Sequence, residues 1–174
     1  MTKNDFFYEL QDSINASDVK KIKALLDTGV KLNKEMSGRL LGAVAETNSV
    51  EIFELLSNAG FKFESQKDAV NSMINACRSK RIEMVKCLIN HRVPVDKRCI
   101  YHRSSNRALM TSAESGDVQL VDLILSHQPN INAQDENGET ALMLAVAKNH
   151  ISVVKKLISS RAKINVKDFS GETA

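Results

Sequence analysis

The chain has 174 residues, 43% of them hydrophobic and 26% charged, with 24 Lys and Arg against 21 Asp and Glu. That balance suits one globular domain or one repeat array, and it excludes collagen-like and disordered chains. Three cysteines make no disulfide framework, no run of 18 apolar residues could span a membrane, and Met1 to Asp5 opens no apolar leader. A reducing, intracellular setting is therefore expected, cytoplasmic or nuclear.

Short apolar helices are predicted in pairs along the chain. The first pair is carried by Phe6-Phe7-Tyr8-Glu9-Leu10 and by Asp18 to Val30. Its aromatic start reads as a cap packing onto the next unit. The second pair is Leu40 to Ala45 and Val50 to Leu56, closing at Ala59-Gly60-Phe61. The third is Met73 to Ala76 and Ile82 to Ile89, closed by Val93-Pro94-Val95-Asp96. The fourth is Ala108-Leu109-Met110 and Gly116 to Leu125, closed by Ile131-Asn132-Ala133.

The fifth pair is the clearest. Asp135-Glu136-Asn137-Gly138-Glu139-Thr140 returns as Asp168-Phe169-Ser170-Gly171-Glu172-Thr173, an interval of 33 residues. Self-similarity at that period marks a stacked repeat. The turn residues allow a tight reversal, with Gly138 free to take positive φ, and Thr140 can cap the next helix. Leu142, Ala145 and Val146 give that helix one apolar face, and Ile151, Val154, Leu157 and Ile158 give the next helix another. The spacing divides the chain into units 1–33, 34–65, 66–101, 102–134 and 135–167, with 168–174 opening a further one. Three extra residues fall in the turn between Lys97 and Asn106.

The pattern Asp-x-x-Gly-x-Thr, an apolar helix, Val-Val-x-x-Leu-Ile and then Ile-Asn resembles the ankyrin repeat. Thr140-Ala141-Leu142-Met143 stands where the family has Thr-Pro-Leu-His, so its proline and histidine are missing. The resemblance implies an all-α, ankyrin-repeat solenoid of helix-turn-helix units with hairpin-like connecting turns. It also implies that Asn132 and Asn165 hold a position that some family members present for hydroxylation, where an Asn otherwise tethers its turn. Gly29 and Gly60 suit left-handed ends of second helices, and Arg92, Gln128 and Arg161 occupy the same place in later units. Val154, Leu157 and Ile158 are expected to keep one uncovered side, as if the natural chain continued or a partner covered it.

Nothing points to catalysis: no nucleophile elbow, phosphate loop or His-Glu-x-x-His is present, so catalytic residues and cofactors are expected to be none. Cys87, His91, Cys99 and His102 are the one set of soft ligands near each other. Their spacing is not that of a zinc finger, and packing of the cysteines is the favoured reading over a metal.

Charge is the sharper signal. Arg78 to Arg107 holds nine Lys and Arg against Glu83 and Asp96, while the flanking stretches are each net −2. Such a block attracts an anionic partner, although a charge run is also the ordinary make-up of a solvated face. Tyr101 is its sole aromatic, too few for nucleic-acid stacking.

By the register the resemblance implies, a groove of turns and first-helix faces gathers Arg78, Arg98, Tyr101, Arg103, Asn106, Glu114, Glu136, Asn137, Glu139 and Lys148. The favoured reading is non-catalytic protein–protein recognition of an acidic or phosphorylated segment, with Arg78, Arg98 and Arg103 as its holders. The alternatives are a targeting domain of a longer enzyme or effector whose catalytic part lies elsewhere, and an anion-binding module for nucleic acid or phosphoinositide.

Overall fold

Helix ends set the architecture, seen here in a computed structural model of the chain. The structure describes residues 3–29, 31–33, 36–37, 40, 44, 47, 49–63, 65–99 and 107–174. Among the described residues there is no strand, and nine helices are defined: α1 (Lys3–Asn15), α2 (Val19–Leu26), α3 (Val50–Asn58), α4 (Gln66–Arg78), α5 (Ile82–Asn90), α6 (Ala108–Ser115), α7 (Val118–Leu125), α8 (Ala141–Ala147) and α9 (Ile151–Ser159). The chain divides into two compact units, Met1–Ser72 and Met73–Ala174. None of these helices is long and apolar enough to cross a membrane.

In the first unit α1 packs on α2, and α2 on α3. Phe6, Leu10 and Ile14 follow each other at four-residue spacing and are fully buried, as is Ile22 of α2, with Leu25 of the same helix buried too. Phe7 is buried as well, whereas Tyr8 is exposed and meets Phe7 edge-on. Phe53, Phe61 and Phe63 form a triangle with ring centroids 5.9 to 6.0 Å apart.

In the second unit α6 packs on α7 and α8, α9 packs on α8 and α7, and α5 packs on α7. This is the stacking of helix pairs that the repeat requires, since one pair cannot enclose a core. Side chains start several helices: Asp117 accepts from the Leu120 amide, and Thr140 accepts from the Met143 amide.

The ends are less ordinary. Arg92, Gln128 and Arg161 adopt the left-handed backbone expected of them, and so do Ser17, Lys80 and Asn149, with φ between 53° and 69°. After five of these six, the next amide reaches back five residues: Asp18 to Ser13, Arg81 to Ala76, Val93 to Leu88, His150 to Ala145 and Ala162 to Leu157. After Gln128 comes Pro129, which has no amide hydrogen to give.

The connecting turns repeat faithfully. The Asp135 amide donates to the Glu139 carbonyl at 3.0 Å, and the Asp168 amide to Glu172 at 2.9 Å. Successive turns are tied together. The Phe169 amide donates to the Asn137 carbonyl at 3.0 Å, and Gln134 Nε2 donates to the carbonyls of Gly138 and Lys167. Asn132 Oδ1 accepts from the Lys163 amide at 2.8 Å, so Asn132 tethers its turn.

The face assignments of the fifth pair need correction. Val146 is exposed, and the buried residues of α8 are Ala141 to Ala145. That helix packs against α6 and α9, and Val146 falls outside the face they cover. In α9, Ile151 and Ile158 are also exposed, and the inward pair is Val153 and Leu157, both fully buried. Their four-residue spacing directs them at α8 and α7. Leu157 thus has no uncovered side.

Candidate partner-binding surface

Three first helices end at one place. α4 stops as Lys80 turns left-handed, α8 stops as Asn149 does, and α6 stops at Gly116 with φ +76°. The side chains near those stops, Arg78, Lys80, Thr111, Glu114, Ser115 and Lys148, line one open depression of about 320 Å³. Three residues expected on the partner surface therefore come together: Arg78, Glu114 and Lys148.

Their bonding is uneven. Arg78 Nη1 donates to Asn75 Oδ1 at 3.1 Å, and Lys148 Nζ lies 3.6 Å from Glu114 Oε1. Ser115 and Ser112 return their hydroxyls to helix carbonyls, at 2.9 and 2.8 Å. Thr111 does not. Its Oγ1 is buried without a hydrogen-bond partner, and the residue is 2% exposed. Beside Arg78, burial pushes the Cys77 thiol up to about 11, only partly opposed by a hydrogen bond with Ser112. That thiol is not a nucleophile at neutral pH.

Arg98 lies in a separate depression of about 550 Å³, with Pro94, Asp96, Lys97 and Arg107. Arg107 Nη1 donates to the Asp96 carbonyl and lies 3.7 Å from its carboxylate, so this cation holds the loop in place. Arg78 and Arg98 are thus not brought together there. Tyr101, Arg103, Asn106 and His102 lie outside the described residues.

Glu136, Asn137 and Glu139 sit on the 135–140 turn. Asp135 Oδ1 accepts the amides of Asn137 and Glu139, and Asn137 Nδ2 donates to Glu139 at 3.3 Å. Asn137 and Glu139 thus brace the turn with Asp135 before they meet any partner.

Cys87 and His91 are one turn apart, with Sγ and Nδ1 separated by 3.8 Å. The same Nδ1 lies 2.9 Å from the Cys87 carbonyl, so it serves the end of α5. Cys87 and Cys99 are buried, and no three potential ligands converge among the described residues.

Lys80 and Thr111 escaped the sequence reading as site residues, whereas Ser115 was expected on the groove face beside Glu114. Lys80 was visible only as one more charge, although the register aligns it with Gly116 and Asn149 at helix ends. Thr111 was the better signal, a hydroxyl among Leu109, Met110 and Ala113.

The family model described as ankyrin repeats (3 copies) matches residues 40–135 and 73–168. No curated protein sequence matches the chain. Among solved structures, the chain resembles the ankyrin repeat domain of Bcl-3, described as a unique member of the IkappaB protein family. That likeness has a TM-score of 0.72 at 16% identity and covers 95% of this chain and 91% of the other. At such identity it speaks for the fold alone.

Proposed function

This chain belongs to the ankyrin repeat family, and we propose that it recognises an acidic or phosphorylated segment of a partner protein through its basic block. Ankyrin repeats generally serve as non-enzymatic protein–protein interaction modules. One observation carries the finer reading. The block holds only two acids, and both are engaged: Glu83 with Lys86 at 2.7 Å, and Asp96 with Arg107. Arg78, Lys80, Arg92, Lys97 and Arg98 remain exposed with no acid of the block to neutralise them. Arginine forks pair well with carboxylate or phosphate. The three cysteines are buried and none is in a disulfide, which supports a reducing, intracellular setting.

The test is affinity capture with identification by mass spectrometry, run beside an Arg78→Glu, Arg98→Glu, Arg103→Glu variant. Proteins enriched by the native chain are expected to be lost with the variant while its circular dichroism is unchanged. Capture of the same proteins by both would reduce the block to a solvated face. Binding that falls steeply with salt and does not discriminate among protein segments would instead indicate a general anion binder.

A further inference from the structure

We infer that the depression formed by Arg78, Lys80, Thr111, Glu114, Ser115 and Lys148 is a subsite for a phosphoserine or phosphothreonine side chain in the partner segment. This rests on the recognition reading above and names the chemistry of one of its contacts.

Charge comes first. Three cations and one carboxylate line the depression, a net of +2. A phosphate monoester carries roughly −1.5 to −2 at neutral pH, and a carboxylate side chain only −1. The dianion is the better match. Donor number agrees with this. The arginine fork and two ammonium groups offer more N–H donors than two carboxylate oxygens can accept, and a phosphate presents a third terminal oxygen.

A competing explanation is that these cations merely offset helix C-termini, where exposed carbonyls leave partial negative charge. The hydrogen bonding argues against it. The last carbonyls of α4 already accept the amides of Ser79, Lys80 and Arg81, and those of α8 accept the amides of Lys148, Asn149 and His150. The ends are capped by backbone, so the Arg78, Lys80 and Lys148 heads are not needed there: Arg78 gives one N–H to Asn75, Lys148 lies 3.6 Å from Glu114, and the remaining donors of the three face the depression.

Thr111 is the independent pointer. Its neighbours Ser112 and Ser115 bond back to their own helix, while Thr111, a residue of the lining, keeps its Oγ1 buried and unpartnered. An unmet buried hydroxyl is unfavourable. A phosphate oxygen seated between Arg78 and Lys148 supplies the missing acceptor once the side chains that cover Oγ1 part to admit it. Glu114, holding Lys148 at 3.6 Å, is then displaced rather than joined.

The test uses the full chain and three matched peptide libraries of random sequence, with a central phosphoserine, glutamate or alanine, at one ionic strength. The phosphoserine set is expected to be preferred over glutamate by about tenfold, the scale of one charge-assisted hydrogen bond. Lys80→Gln with Lys148→Gln should abolish that preference, and Thr111→Val should reduce it without loss of thermal stability. Glu114→Gln should increase it by freeing Lys148. Lys155→Gln, which does not line the depression, is the control and should change nothing. Equal binding of the three sets, or a preference kept by the double variant, overturns the phosphate subsite and leaves the recognition reading standing. Binding to none of the sets overturns both.

Discussion

The imidazole of His150 fills the space that a side chain on Gly116 would need. A β-carbon built on Gly116 would lie 2.6 Å from two ring atoms of His150 and 2.7 Å from a third. The same ring places Nε2 3.0 Å from the Glu114 carbonyl. The end of α6 and the start of α9 are thereby locked together across one repeat. Gly116→Ala would meet the ring and also the left-handed backbone at φ +76°, so a loss of about 3 kcal/mol is expected. His150→Ala should cost about 1 to 2 kcal/mol through the bond and the contact. The double variant should cost less than the two losses combined, because the clash is removed with the ring. Urea denaturation of the four proteins measures this coupling.

Left-handed non-glycine residues mark where this array falls short of its most stable form. Gln128 and Arg161 are exposed and have φ of 53° and 69°. Each should gain up to about 1 kcal/mol as glycine, since relief of the β-carbon strain outweighs the added freedom of the unfolded chain. The urea midpoint should rise with each change and rise further with both. A fall at either position would show that its side chain contributes more than its backbone costs.

Thr140 closes the start of α8 with its hydroxyl, which accepts from the Met143 amide at 3.3 Å, while its own amide points at Met143 Sδ. The residue is 1% exposed, so no water can replace the bond. Thr140→Val keeps the shape and removes the acceptor, and it should lower stability by about 1 kcal/mol or somewhat more. Thr140→Ser should retain most of it. A thermal melt that ranks valine above serine would refute the cap.

The return of Asp135 to Thr140 at Asp168 to Thr173 made the turns legible, because one set of backbone bonds serves both. Second-helix ends were legible for a similar reason: position alone demanded positive φ at Arg92, Gln128 and Arg161. Helix faces were not. Ile151, Val154 and Ile158 satisfy helical periodicity as well as Val153 does, but in a stack the two neighbouring pairs decide which residue points in. Arg78 and Lys148 are far apart in sequence and meet only because the repeats bring successive first-helix ends together. For Arg98 no such rule applied, since the enlarged turn breaks the register and gives it a depression apart from Arg78. Thr111 showed in the sequence only as a hydroxyl among apolar residues; that the hydroxyl is unmet is a fact of three-dimensional surroundings, not of spacing.

The buried thiol of Cys77 should make stability fall at alkaline pH. Burial raises it from 9.0 to about 11, with the Ser112 hydrogen bond opposing. In the unfolded chain the thiol ionises first as pH rises past 9.0, while the folded chain keeps its proton until about 11. The unfolded state therefore binds fewer protons across that window, and the slope of stability with pH is negative there. Below the unfolded value the contribution is fully present; above the folded value it is gone. The informative quantity is the difference between the native chain and Cys77→Ala. Urea midpoints from pH 8 to 11 should fall more steeply for the native chain than for the variant. Alkylation of Cys77 at pH 8, followed by peptide mass spectrometry, should be slow in buffer and fast in urea. Parallel slopes together with rapid alkylation in buffer would mean that the thiol is reached by solvent without unfolding.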